Sequence, residues 1–126
     1  MLITEKTYCF ENSDGRKLTA YIREFFTVES QTVFTWPCAI LLASFISSTD
    51  VVKGHNVVEL GAGCGLPSII AAFSGARSCL ITERAEEPSI LENLQLNVKK
   101  NGLLDICKVV SVEDVTKMSR ISLCSS

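Results

Sequence analysis

The chain has 126 residues, room for one small domain with a single core. Its 47% hydrophobic and 21% charged content suits a soluble globular protein, and a net charge of −2 gives no general reason to expect direct nucleic-acid binding. The six cysteines form no C-x-x-C pair and the one histidine, His55, has no cysteine pair beside it, which argues against a zinc site.

The first ten residues lack the basic-then-apolar pattern of a signal peptide. The longest apolar stretch, Cys38 to Ala43, is far too short to span a membrane. Reduced thiols in the cytoplasm or nucleus are the simplest expectation.

Thr4 to Phe10 and Leu18 to Phe26 read as two strands joined by the turn signal Asn12-Ser13-Asp14-Gly15. This predicts an N-terminal β-hairpin over residues 1–27. Its charges (Glu5, Lys6, Arg16, Lys17, Arg23 and Glu24) are expected on a solvated face. Val28 to Thr35 is polar and reads as loop. Trp36-Pro37 then opens a helix over Cys38 to Ser47, with Pro37 suited to the first turn. Ala39, Ile40, Leu42, Ala43 and Ile46 cover nearly its whole circumference, which predicts a largely buried helix. Trp36 at its mouth is either a core or rim aromatic or the wall of a ligand pocket.

Lys53-Gly54 turns the chain into Val57-Val58-Glu59-Leu60, short and apolar as a doubly covered parallel strand requires. Gly61-Ala62-Gly63-Cys64-Gly65 follows, then a helix start at Leu66-Pro67. Leu66, Ile69, Ile70 and Phe73 form one helical stripe, ended by Ser74-Gly75. Ser78 to Thr82 reads as a second strand. A helix from Pro88 carries Ile90, Leu91, Leu94 and Val98 inward and closes at Asn101-Gly102. Asp105 to Val112 reads as a third strand. Short links give β-α-β-α-β with right-handed crossovers, the first half of a doubly wound sheet in the order 3-2-1.

The glycine loop is the chemical centre of this pattern. The dinucleotide fingerprint G-x-G-x-x-G needs glycine at position 66, where Leu66 stands. Glu59, two residues before the loop, repels a pyrophosphate and attracts an ammonium or sulfonium group. Both features argue against a nicotinamide-dependent oxidoreductase. S-adenosylmethionine carries both cations, and a carboxylate suited to the free N–H groups at a helix start. Glu83 ends the second strand about 20 residues past the loop, where an acidic residue holds a ribose hydroxyl pair; a carboxylate accepts both hydrogens.

Trp36-Pro37-Cys38-Ala39, the run from Glu59 to Pro67, Thr82-Glu83 and the Leu-rich helix from Pro88 to Asn101 together resemble the class I, seven-stranded S-adenosylmethionine-dependent methyltransferases. Within that class the chain looks like the methyltransferase-like protein lysine and arginine methyltransferases, most like their twenty-three branch. The resemblance covers roughly residues 28–112, a partial cofactor-binding domain. It implies that Trp36 lines the cofactor pocket, that Gly61, Ala62 and Gly63 wrap the methionyl part, that Glu59 faces the amino group, and that Glu83 holds the ribose, where the family usually has aspartate. The implied partner is a protein substrate, a histone or another nuclear or cytosolic protein.

After the third strand the family's Leu-x-Trp-Gly-like segment is replaced by Glu113-Asp114-Val115-Thr116-Lys117-Met118. Residues 113–126 are therefore expected to be an irregular or divergent tail, and the chain a truncated form of the family's domain. Two functional readings stand: a protein N-methyltransferase, or a non-catalytic interaction or regulatory protein derived from the same fold.

Overall fold

The computed structural model describes residues 2–26, 32–84, 86 and 88–115. Two strands, β1 (Leu2–Glu11) and β2 (Lys17–Phe26), form an antiparallel hairpin whose register runs from Leu2↔Phe26 to Glu11↔Lys17. Its turn is fixed by one side chain: Asn12 Oδ1 accepts the N–H groups of Asp14 (3.0 Å) and Arg16 (2.8 Å). Period-two alternation sends Leu18, Ala20 and Ile22 into the core.

Period two also sends Glu24 inward, and there the expectation of a solvated charged face fails. Glu24 is only 3% exposed. It is kept charged by the Tyr8 hydroxyl (2.8 Å), the Thr35 N–H (3.2 Å) and Lys6 Nζ (3.2 Å). Burial pushes its carboxyl up, but the bonds from Tyr8, Thr35 and Lys6 outweigh that and hold it below its ordinary value. Arg23 is half-buried, its Nη1 donating to Asn93 Oδ1 at 2.6 Å.

Of the segment expected as loop, residues 28–31 lie outside the described residues. Thr32–Val33 forms a short strand, β3, that pairs with Phe25 and Phe26. Helix α1 (Pro37–Ser48) starts with proline in its first turn, as expected. Its burial differs from expectation: only Ala43, Ile46 and Ser47 are buried, and Leu41, Leu42 and Phe45 are exposed. The physical reason is one-sided packing. The helix packs on helix α2 (Leu66–Phe73) and touches β1, while the side that carries Leu41, Leu42 and Phe45 stays exposed.

The second sheet is parallel, with β5 (Ser78–Glu83) between β4 (Asn56–Glu59) and β6 (Cys107–Ser111). This is the expected 3-2-1 order, with β4 at an edge. The third strand is shorter at both ends than the pattern predicts, and Val112–Val115 makes a helical turn. Helix α3 (Pro88–Lys100) crosses from β5 to β6. Strand β4 is not doubly covered: Val57 is half-buried, whereas Val58 and Leu60 are exposed. The core lies between the buried face of β2, helices α2 and α3, and β5, and includes Ile22, Leu66, Ile69, Ile70, Ile81, Leu94 and Val98.

Candidate functional site

Strands β4 and β5 are neighbours and each ends in a glutamate, β5 running two residues past Ile81, the partner of Glu59. Glu59 and Glu83 therefore stand together at the C-terminal edge of the sheet, where ligands of open α/β sheets bind. Between β4 and α2 the chain turns through Gly61, Gly63 and Gly65 at φ of 64°, 57° and 89°. Only glycine takes these angles routinely.

Hydrogen bonds tie the loop and the two strand ends together. The Ala62 N–H donates to the Thr82 carbonyl (3.0 Å), and the Thr82 hydroxyl donates to the Glu59 carbonyl (2.7 Å). Glu83 Oε2 accepts the Gly63 N–H at 3.0 Å, while Oε1 accepts the Arg84 N–H at 3.0 Å. A Cβ built on Gly61 or Gly63 would meet no heavy atom within 4 Å, so the loop leaves open space beside its backbone.

Glu59 Oε1 accepts the hydroxyl of Ser68, in the first turn of α2, at 2.5 Å. Burial pushes the Glu59 carboxyl above its ordinary value; hydrogen bonds from Ser68 oppose this, and the Glu83 charge adds to it. Helix α2 begins at Gly65 with no side-chain cap. The start of this helix thus already faces one carboxylate. The site favours a ligand that brings a cation, not a bare phosphate.

These groups line a cavity of about 420 Å³, within the range of small-molecule sites. All six residues singled out from the sequence (Trp36, Glu59, Gly61, Ala62, Gly63 and Glu83) line it. Trp36 is a rim residue, 58% exposed, its ring 4.2 Å from that of Phe34. Phe34, Cys38, Leu42, Cys64 and Ile90 extend the wall and were not foreseen. The Cys64 thiol is pushed up to about 12 by burial and then by the Glu24 charge, so it stays protonated.

Two further groups act on the site from behind. Glu24 holds the Thr35 N–H, next to Trp36. Asn97 of α3 donates to the Cys64 carbonyl at 3.0 Å. Sequence reasoning missed both, although each carried a signal. Glu24 shares the inward parity of Leu18, Ala20 and Ile22, and Asn93, Asn97 and Asn101 recur every fourth residue beside the helix's apolar stripe.

The sequence family described as lysine methyltransferase matches residues 17–121. The chain is 32% identical over 108 residues to the histone-arginine methyltransferase METTL23 of Xenopus laevis, covering 82% of this chain and 45% of that protein. It is 43% identical over 68 residues to the protein N-terminal and lysine N-methyltransferase efm7 of Schizosaccharomyces pombe, covering 53% of this chain and 26% of that one. The protein N-lysine methyltransferase METTL21A of Danio rerio matches at 43% over 82 residues, 64% of this chain and 36% of the relative. The chain thus spans less than half the length of these relatives.

Among solved structures, SMU.776, complexed with SAH, shares the fold with a TM-score of 0.63 at 18% identity, covering 82% of this chain and 27% of that one. The family match spans the hairpin's second strand, the glycine loop and all three parallel strands, and the chain belongs to the lysine methyltransferase family.

Proposed function

We propose that this chain is the cofactor-binding part of a protein N-methyltransferase that uses S-adenosylmethionine and takes a lysine or arginine side chain of a protein as acceptor. The observation that carries the reading is the pair Glu59 and Glu83 at the ends of neighbouring parallel strands, flanking one glycine loop and lining one cavity. The residues present fit the cofactor. Glu59 offers a partly buried anion for its ammonium, and Glu83 offers acceptor oxygens for two ribose hydroxyls. The space beside Gly61 and Gly63 admits the methionyl chain, and Phe34, Trp36, Leu42 and Ile90 supply apolar wall.

When bound, S-adenosylmethionine supplies a methyl group on a sulfonium, open to in-line attack by a nitrogen lone pair. The chain's own contribution is positional. The glycine loop fixes depth, Glu59 and Glu83 fix orientation, and Phe34 and Trp36 supply an aromatic wall at the rim. Holding donor and acceptor in line accounts for much of the rate in such reactions. The acceptor classes follow from the names of the relatives, lysine and histone arginine. We propose a histone or another nuclear or cytosolic protein as the substrate, and with it a place for the chain in the nucleus or cytoplasm.

Calorimetric titration with S-adenosylhomocysteine tests the reading, with Glu83→Ala as control. Saturable binding that the variant loses is the expected result; a folded wild-type protein that shows none overturns it. A second reading, a non-catalytic interaction or regulatory protein, is favoured by the exposed apolar residues Val58 and Leu60 of the sheet edge. Transfer of radiolabelled methyl to histones or lysate proteins by the purified chain decides against that alternative, and binding without transfer decides for it.

A further inference from the structure

The outer edge of β2 does not end in solvent. Helix α3 presents a ladder of asparagines to it, one per turn. Asn101 Oδ1 accepts the Tyr21 N–H (2.9 Å) and its Nδ2 donates to the Tyr21 carbonyl (2.8 Å). One turn earlier, Asn97 Oδ1 accepts the Arg23 N–H (2.8 Å) and its Nδ2 donates to the Arg23 carbonyl (3.2 Å). Asn93 Nδ2 donates to that same carbonyl at 3.0 Å. The side-chain amides thus stand in for the backbone of a neighbouring strand. Asn97 and Asn101 each satisfy an N–H and a C=O that an open edge would leave bare, and Asn93 adds a second bond to the Arg23 carbonyl.

Asn97 and Asn101 differ in one bond. The second hydrogen of Asn101 Nδ2 goes back to its own helix, to the Asn97 carbonyl at 2.8 Å. That of Asn97 crosses to the glycine loop, to the Cys64 carbonyl at 3.0 Å. Asn97 is fully buried, and its amide has used both donors and its oxygen. The same helix touches the loop a second time: a Cβ on Gly65 would stand 3.0 Å from Leu94 Cδ2. The other ties of the loop run to β5, through Thr82 and Glu83.

We infer that Asn97 is a positioning residue of the cofactor cavity, clamping the Cys64 carbonyl of the glycine loop to Arg23 of the N-terminal hairpin. The hairpin is thereby part of the site's frame although it supplies no cavity wall through Arg23. Cys64, Gly65 and Leu66 all line the cavity, so a loop released at Cys64 is released where the ligand sits. In its ligand readout the inference rests on the cofactor reading above.

Asn101→Ala is the internal control, because it removes an equivalent pair of edge bonds, those to Tyr21, and no bond to the loop. The test compares S-adenosylhomocysteine affinity and amide hydrogen exchange in the wild type, Asn97→Ala and Asn101→Ala. Asn97→Ala is expected to weaken binding about tenfold, the effect of losing one bond's worth of preorganisation. Asn101→Ala is expected to leave affinity unchanged within about twofold even where its melting temperature falls. The Gly65 amide, bonded to the Ala62 carbonyl at 2.9 Å, should exchange faster in Asn97→Ala alone. Equal affinity and equal Gly65 exchange in the two variants would overturn the inference. A wild type that binds no S-adenosylhomocysteine would sink the cofactor reading only, and the exchange comparison would still decide the clamp. Should Asn97→Ala not fold, exchange in the wild type across sub-denaturing urea decides it. Coincident opening of the Arg23 and Gly65 amides supports the clamp, and independent opening refutes it.

Discussion

Glu83 reaches back across its own strand end to accept the Gly63 N–H at 3.0 Å, so one carboxylate both shapes the glycine loop and faces the cavity. A charged acceptor on a backbone N–H contributes about 1.5–3 kcal/mol. Glu83→Ala loses that bond along with the acceptor for the ribose, and we expect at least about tenfold weaker S-adenosylhomocysteine binding. Glu83→Asp keeps the charge on a shorter arm and should fall between wild type and alanine. Titration calorimetry of the three proteins checks the order; an alanine variant that binds as the wild type does would remove Glu83 from the site.

Much of this arrangement was legible in the sequence. The β-α-β-α-β order was readable because each element carries its own period and each link its own turn residue. The lining of the cavity was readable because Glu59, the three glycines and Glu83 sit at strand ends, where position follows from topology. Burial was less so. Leu41, Leu42 and Phe45 look like core by composition, but whether a helix face is covered depends on its neighbours, and α1 has them on one side. Glu24 was misjudged by residue type when its parity with Ile22 already pointed inward. A buried carboxylate is tolerated there because Tyr8, Thr35 and Lys6 converge on it from elsewhere in the chain, which no local pattern displays.

Glu24 and Glu59 should give opposite pH signatures. Glu24 sits below its ordinary value of 4.5 in the folded protein. The unfolded chain therefore binds its proton first as pH falls, so its contribution is full above 4.5 and is lost as pH falls through the folded value. Glu59 sits above 4.5. Here the folded state holds the proton longer, so stability is highest below 4.5 and declines as pH rises through the window up to the folded value. At neutral pH, Glu24→Gln should lower the melting temperature of the ligand-free protein by about 4 °C or more, as about 1 kcal/mol would in a domain this small. Glu59→Gln should raise it at neutral pH while weakening S-adenosylhomocysteine binding. Both differences should shrink in acid, once the wild-type carboxyl is protonated. Melting curves from about pH 2 to 8, a range that runs from below to above the carboxylate values, check the two signs.

The glycines at positions 61 and 65 should separate ligand space from packing space. Gly65 has φ of 89°, and a Cβ there would stand 3.0 Å from Leu94 Cδ2. Gly65→Ala therefore combines backbone strain with a clash against a fully buried leucine, and a loss of about 2–3 kcal/mol is expected. Gly61 has φ of 64°, and its Cβ would meet no protein atom within 4 Å. Gly61→Ala should cost only about 1 kcal/mol of stability, yet impair ligand binding, because Gly61 lines the cavity. Urea melts paired with calorimetry check the split. Equal stability losses, or unchanged affinity in Gly61→Ala, would show that the open space beside Gly61 is not ligand space.

Thiol chemistry offers a map of the site that needs no substitution. Cys9 and Cys38 are exposed, whereas Cys64, Cys79 and Cys107 are buried. Cys38 and Cys64 line the same cavity, but burial holds the Cys64 thiol up at about 12, so almost none is thiolate at neutral pH. Iodoacetamide at neutral pH should therefore modify Cys9 and Cys38 and spare Cys64, as read by peptide mass spectrometry. Saturating S-adenosylhomocysteine should then slow the Cys38 reaction severalfold and leave Cys9 unchanged, because Cys38, unlike Cys9, lies on the cavity wall. Protection of neither cysteine would place the ligand away from the start of α1. Protection of both would point to a general tightening of the protein on binding, with no local cover over Cys38.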